Sequence, residues 1–246
     1  MQTSVTVVAP NDNIANMMLV PLVHNATALR SHGIALRICQ PPIKFQLSKY
    51  YSTDILILNS KLFRPLWSRH SEQVLDYLAQ QRRYCSKILW FDDTDSTGTT
   101  QFQVLPFVDA YLKKQLAWDM KRYSARWDGD REFTHYYVNK GGVKLPYAFE
   151  SQLLSQSDVG KIGLSWNIGL GDIYGQISNR IIRWTRKAGK KWYSIRWHDV
   201  GRERAMDVQF RGTLRYGNSA IDHQRQIIAE CLRGLEGFKR NEHEEI

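Results

Sequence analysis

This 246-residue sequence is short of cysteine and lacks the spacings that chelate a metal. It has three cysteines, Cys39, Cys85 and Cys231, odd in number and widely spaced, which excludes a disulfide framework and a CxxC-type zinc site. The seven histidines (24, 32, 70, 135, 198, 223 and 243) show neither HxxxH nor HExxH spacing. No phosphate-binding GxxxxGK[ST] loop and no GxSxG nucleophile elbow occurs. The segment Asn167-Ile168-Gly169-Leu170-Gly171-Asp172 lacks the third glycine of a dinucleotide fingerprint. No run approaches the ~18 consecutive apolar residues of a membrane-spanning helix. The stretch Met17 to Val23 is interrupted by Pro21, and the first residues lack the basic and apolar regions of a secretory signal. There is no internal repeat or low-complexity tract.

Hydrophobic residues at 43% and charged residues at 24% are enough for a packed core, so disorder is excluded for most of the chain. Lys plus Arg exceed Asp plus Glu by 34 to 24, a net charge of +10 that favours polyanionic partners. Eleven of those cations, against three acids, fall between Arg180 and Arg215, interleaved with Trp184, Trp192, Tyr193 and Trp197. Such a stretch is by default a solvated face; of specific partners it suits an anionic membrane face or an anionic glycan ahead of a single-strand nucleic-acid groove, since no RNP, KH or zinc-finger motif accompanies it.

Strand and helix signals alternate over the first 112 residues. Val5, Val7 and Val8 form a β-branched run that ends at Pro10, and a helix is expected from Ile14 to Ser31, kinked or starting late at Pro21. His32-Gly33 stops it, and Ile34, Leu36 and Ile38 make the second strand. Asp54 to Asn59 is the third strand, Ser68 to Cys85 a helix, Ile88 to Phe91 the fourth strand and Phe107 to Leu112 a fifth. The pattern predicts an α/β fold, a Rossmann-like and mostly parallel sheet flanked by helices. Ligands of such sheets sit beyond the carboxyl ends of the strands, which singles out the loops after Pro10, Asn59 and Phe91. The middle, about 113–172, is less regular, with turn signals at Asp128-Gly129-Asp130 and Gly141-Gly142. Helices are expected at 175–187 and 220–235, and a strand at 206–210. The expected division is an N-terminal domain over 1–200 and, over 201–246, the opening β-α unit of a second, truncated domain.

Four stretches resemble bacterial glycosyltransferases of the GT-B type, which build cell-surface polysaccharide and lipopolysaccharide. They are the opening strand with GIALRI, then ILWFDDTDSTGT, VDAYLKKQ, and MDVQFRGTLRYGN followed by a helix containing HQRQII. The resemblance implies two Rossmann-like domains across a cleft, a nucleotide-sugar co-substrate, a glycan or lipid-linked acceptor, and no required cofactor or metal. It also puts Lys113, within VDAYLKKQ, on the acceptor side. A complete second domain would need about 150 further residues. The apolar faces of 206–210 and 220–235 are therefore expected to drive self-association or to dock onto the first domain.

The residues carry their own reading of that chemistry. Sugar transfer needs a base for the acceptor hydroxyl and cations or N–H groups for the leaving diphosphate. Asp92, Asp93 and Asp95 leave the carboxyl end of a buried strand, where a base or an Asx turn is equally at home. Asp12 is a second candidate base or a helix cap, with Asn11 and Asn13 as hydrogen-bonding neighbours on the acceptor side. Arg211, Gly212, Thr213 and Arg215 lie between a strand and a helix, an arrangement that suits donor phosphates or a plain surface loop. The alternative to a glycosyltransferase is a basic nucleic-acid-binding module without catalysis. The expected location is cytoplasmic, peripheral on the inner face of the membrane.

Overall fold

A computed structural model describes residues 2–41, 47–67, 69–94, 96–129, 132–145, 152–166, 217 and 219–233. Asp95, the helix expected at 175–187, the strand at 206–210, the basic stretch 180–215 and the loop residues Arg211, Gly212, Thr213 and Arg215 lie outside them.

The chain divides into two compact units, Met1–Ala125 with Gln152–Trp197, and Arg126–Ser151 with His198–Ile246. The first is a Rossmann-like α/β unit. Its strands β1 (Thr3–Val8), β2 (Ile34–Cys39), β3 (Thr53–Asn59), β4 (Cys85–Asp92), β5 (Ala110–Lys113) and β6 (Ile162–Leu164) form one sheet in the order β2-β1-β3-β4-β5-β6. Every adjacent pair is parallel.

Alternation along the central strands divides the core between two faces. On one, Leu56, Leu58, Ile88, Trp90 and Tyr111 pack with Val74, Tyr77 and Leu78 of the helix Ser71–Gln81. On the other, Val5, Val7, Ile57 and Phe91 pack with Ala15, Met18 and Leu19 of the helix Asn13–His24, called α1. Trp166 closes this second face, its ring edge-on to Phe91 at 4.9 Å and its indole N–H donating to the Met18 carbonyl at 2.8 Å.

Asp12 caps α1 by accepting the Ala15 N–H at 2.9 Å, so the helix begins at Asn13 rather than late. It runs through Pro21 and ends at Asn25, whose backbone and side-chain N–H groups both donate to the Pro21 carbonyl. A second short helix, Ala26–Ser31, follows, and Gly33 (φ +76°) then admits the turn into β2. The helix expected over 68–85 is shorter, because Cys85 already belongs to β4. The fifth strand starts later than its apolar run suggests: Phe102–Phe107 is a 3-10 turn containing Pro106, and Asp109 accepts the Ile88 N–H at the strand entrance.

In the second unit, the helices Glu132–Gly141 and Ser219–Arg233 pack together, with Tyr137 edge-on to His223 at 5.1 Å. Ser219 donates to the Lys144 carbonyl at 2.6 Å. Gly129 (φ +86°) sits against Thr134, where a β-carbon would fall 2.1 Å from the Thr134 methyl group. Among the described residues, no helix is long and apolar enough to cross a membrane.

Gln81 is the polar fastening of the segment entering β3. Fully buried, it accepts the Tyr51 N–H at 2.9 Å and donates to the Tyr51 carbonyl at 2.8 Å, supplying both bonds of a neighbouring strand. Gln81→Leu leaves two buried backbone groups unpaired, at an expected cost of about 2–3 kcal/mol in urea unfolding. A loss below about 0.5 kcal/mol would mean that the amide is replaceable.

Candidate functional site at the carboxyl edge of the sheet

With β1 between β2 and β3, the chain leaves β1 in one direction along the sheet and later strands extend in the other. The loops after β1 and β3 therefore part at the carboxyl edge, the place where such sheets hold ligands. An ion pair spans the opening, Lys61 Nζ to Asp12 Oδ1 at 3.6 Å. Asn11 accepts from the Asn16 side chain at 3.5 Å, and Asn13 is the first residue of α1. Gln40, beyond β2, donates to the Asn16 side chain at 2.6 Å and closes the outer rim.

Strand alternation sends the two carboxylates that end β4 to opposite faces. Asp92 shares the parity of Ile88 and Trp90, and the register sets it beside Lys113, which shares the parity of Tyr111. Asp92 and Lys113 are wholly buried, with Nζ 3.1 Å from Oδ2. Both oxygens of Asp92 are occupied: Oδ2 also accepts the Tyr111 hydroxyl, and Oδ1 accepts the Thr94 N–H at 3.0 Å and hydroxyl at 2.6 Å. The three N–H bonds of Lys113 are directed at Asp92, at the Thr94 hydroxyl (2.6 Å) and at the Thr99 carbonyl (2.8 Å). Burial pushes the Lys113 ammonium below its ordinary value, an effect that Asp92 partly offsets. Burial, then Asp92, pushes the Tyr111 phenol well above its own. The network ties the loop after β4 to β5.

Asp93 has the parity of Phe91 and lies on the α1 face. Only 2% exposed, it accepts from Asn59 Nδ2 at 3.3 Å and Ser60 Oγ at 3.4 Å, while its own N–H donates to Ser60 Oγ at 3.3 Å. Asn59 is itself held: its amide N–H lies 3.2 Å from the Met18 sulfur, and its Oδ1 accepts the Lys61 N–H at 2.9 Å. Burial raises the Asp93 carboxyl above the usual range, with the charge of Asp92 adding to it, and Lys61, Asn59 and Lys114 pull it back in part. Exposure rises from Asp93 (2%) through the Lys61 side chain (18%) to that of Asp12 (44%).

The sequence-derived candidates thus separate. Asp93 bonds to Asn59 and Ser60 and feels the charge of Lys61, which pairs with Asp12; Asn11 and Asn13 flank Asp12 in the chain, whereas Asp92 and Lys113 form a separate buried scaffold. Sequence reasoning marked the loop after Asn59 but missed Asn59, Ser60 and Lys61 themselves. The available signal was three polar residues directly after a buried apolar strand. Among the described residues, no group of His, Cys, Asp and Glu could hold a metal ion.

Two stability measurements follow. Lys113→Met leaves Asp92 buried without its cation and is expected to cost about 3–5 kcal/mol; a small loss would mean that the pair is not dry. For Asp93, the native state holds its proton more tightly than the unfolded chain. Its charge therefore opposes folding as pH rises from the ordinary aspartate value through the raised native one. Asp93→Asn should be the more stable protein at pH 7, with the advantage fading as pH falls to about 4. A constant difference across that window would contradict the raised value.

No family model matches the chain, and neither a curated protein nor a solved structure matches it.

Proposed function

We propose that the sheet-bearing unit is the acceptor side of a glycosyltransferase that uses a nucleotide-sugar donor and a glycan or lipid-linked acceptor, with Asp93 as the general base. The observation that carries this reading is a buried carboxylate of raised pKa at the carboxyl edge of the sheet, fastened by Asn59 and Ser60 and within the influence of the Lys61 charge that also pairs with Asp12. A base works best when its pKa lies near the working pH, and burial moves Asp93 in that direction. The resemblance of ILWFDDTDSTGT and VDAYLKKQ to GT-B glycosyltransferases supplies the reaction class.

In the proposed reaction, the acceptor hydroxyl enters past the Lys61–Asp12 pair and donates its proton to Asp93. Its oxygen forms the new bond to the anomeric carbon as the bond to the donor diphosphate breaks. The electron pair leaves with the nucleoside diphosphate, whose charge calls for cations or backbone N–H groups. Asn11 and Asn13 lie at the opening of β1 and suit hydroxyls of the acceptor sugar. The nucleotide sugar is a co-substrate, and no resident cofactor or metal enters the proposal. Weak contact with an anionic membrane from the cytoplasmic side fits a lipid-linked acceptor.

The test is turnover of a panel of sugar nucleotides with glycan and lipid-linked acceptors, by wild type and Asp93→Asn. The variant should fold normally and lose about 100-fold or more in kcat. Undiminished turnover in the variant would remove Asp93 as the base. Failure of the whole panel, together with tight, salt-dependent binding of single-stranded DNA, would favour the nucleic-acid-binding alternative.

A further inference from the structure

The loop that leaves β5 at the same carboxyl edge carries an unusual side chain. Trp118 is 102% exposed, the full exposure of an unfolded chain. Single exposed apolar residues are ordinary on protein surfaces. Here, however, the largest side chain is displayed on a backbone fixed on either side. Ala117 is buried, and Leu116 and Met120 pack on the core, so the apolar neighbours turn inward while Trp118 turns out beside the exposed Asp119. The buried Tyr123 hydroxyl accepts the Ala117 N–H at 2.9 Å and donates to the Thr97 carbonyl at 2.8 Å. Asp119 accepts the Lys121 N–H at 3.0 Å, and the Tyr123 carbonyl accepts the Leu154 N–H at 2.9 Å. Thr97 belongs to the loop after β4, so the Trp118 turn and the Asp93 loop are joined by one hydroxyl.

We propose that Trp118 is an interfacial anchor that inserts into an anionic bilayer surface, with Lys121 and Arg122 of the same turn contacting its headgroups. Trp is the side chain that settles best at the headgroup level, its ring apolar and its N–H wet. Lys121 and Arg122 are both exposed, and the chain carries a net +10, so the charge complements an anionic leaflet. Asp119, exposed in the same turn, accepts the Lys121 N–H and keeps its negative charge, so the turn sets two cations against one acid. Because the turn is already ordered, insertion pays little conformational entropy. Anchored this way, the carboxyl edge that holds Asp93 lies toward the membrane. Binding requires no catalysis, so this inference stands or falls apart from the glycosyl-transfer reading.

The test is flotation of the full chain with vesicles of phosphatidylcholine alone and of phosphatidylcholine with about one third phosphatidylglycerol. Wild type should float with the anionic vesicles and not with the neutral ones, less so at high salt. Trp118→Ala should weaken binding about tenfold, and the double change Lys121→Glu with Arg122→Glu should weaken it as well. Depth is read separately: lipids brominated along the acyl chain should quench part of the wild-type tryptophan emission but no such component in Trp118→Phe. A fully exposed side chain has no packing to lose, and far-UV circular dichroism verifies each fold. Unchanged flotation of Trp118→Ala, or equal quenching in Trp118→Phe, overturns the proposal. So does a Trp118-dependent fluorescence change with a soluble anionic oligosaccharide and none with vesicles, which would assign the residue to a glycan.

Discussion

The buried ion pair between Lys113 and Asp92 is the constraint on which the carboxyl edge depends. Removing two charges from water costs several kcal/mol per ion, and their attraction repays it only when the remaining valences are filled. Here they are: three acceptors surround the ammonium, and four donors converge on the carboxylate. Such a pair adds little net stability over an apolar substitute of equal shape, but it tolerates few alternative arrangements. It fixes where β4 ends, where β5 ends and how the loop between 93 and 99 departs.

From that fastening comes a division of labour between neighbours. Consecutive residues at a strand end point to opposite faces, so once Asp92 is committed to Lys113, Asp93 must face α1. There it meets Asn59 and Ser60 at the end of β3, beside a cation shared with Asp12. Two adjacent carboxylates of the same chemistry thus occupy different states. One is saturated and holds the scaffold. The other has two weak hydrogen bonds at 3.3–3.4 Å and a pKa that burial raises. That asymmetry makes the edge a candidate site for proton transfer.

Much of the fold is legible in the sequence because parallel strands buried on both faces leave nearly continuous apolar runs, as Ile55 to Leu58 and Ile88 to Phe91 do. The positions of Gly33, Gly129 and Gly142 are legible too, since each takes a positive φ that other residues avoid. The three residues of β6 are not, being too short to show a period amid turn signals. Nor can local pattern tell Asp92 from Asp93. The distinction depends on the register of β4 against β5, which brings together residues 21 positions apart. Lys113 illustrates the same limit. Its place beside Asp92 comes from the β4–β5 register, and its complete burial depends on Tyr111, Thr94 and Thr99 closing around it. Trp118 carries no sequence signal either, because exposure is a property of the turn that displays it.

The central claim is that Asp93 is the poised member of the pair. It is tested most directly by NMR titration of the aspartate carboxyl carbons, assigned with Asp92→Asn and Asp93→Asn. The Asp93 midpoint should lie above the ~3.9 of a free aspartate, rise further in Lys61→Met, and shift when an acceptor glycan is added. An Asp93 midpoint at or below the ordinary value, unmoved by Lys61→Met and by every acceptor tried, would contradict the account.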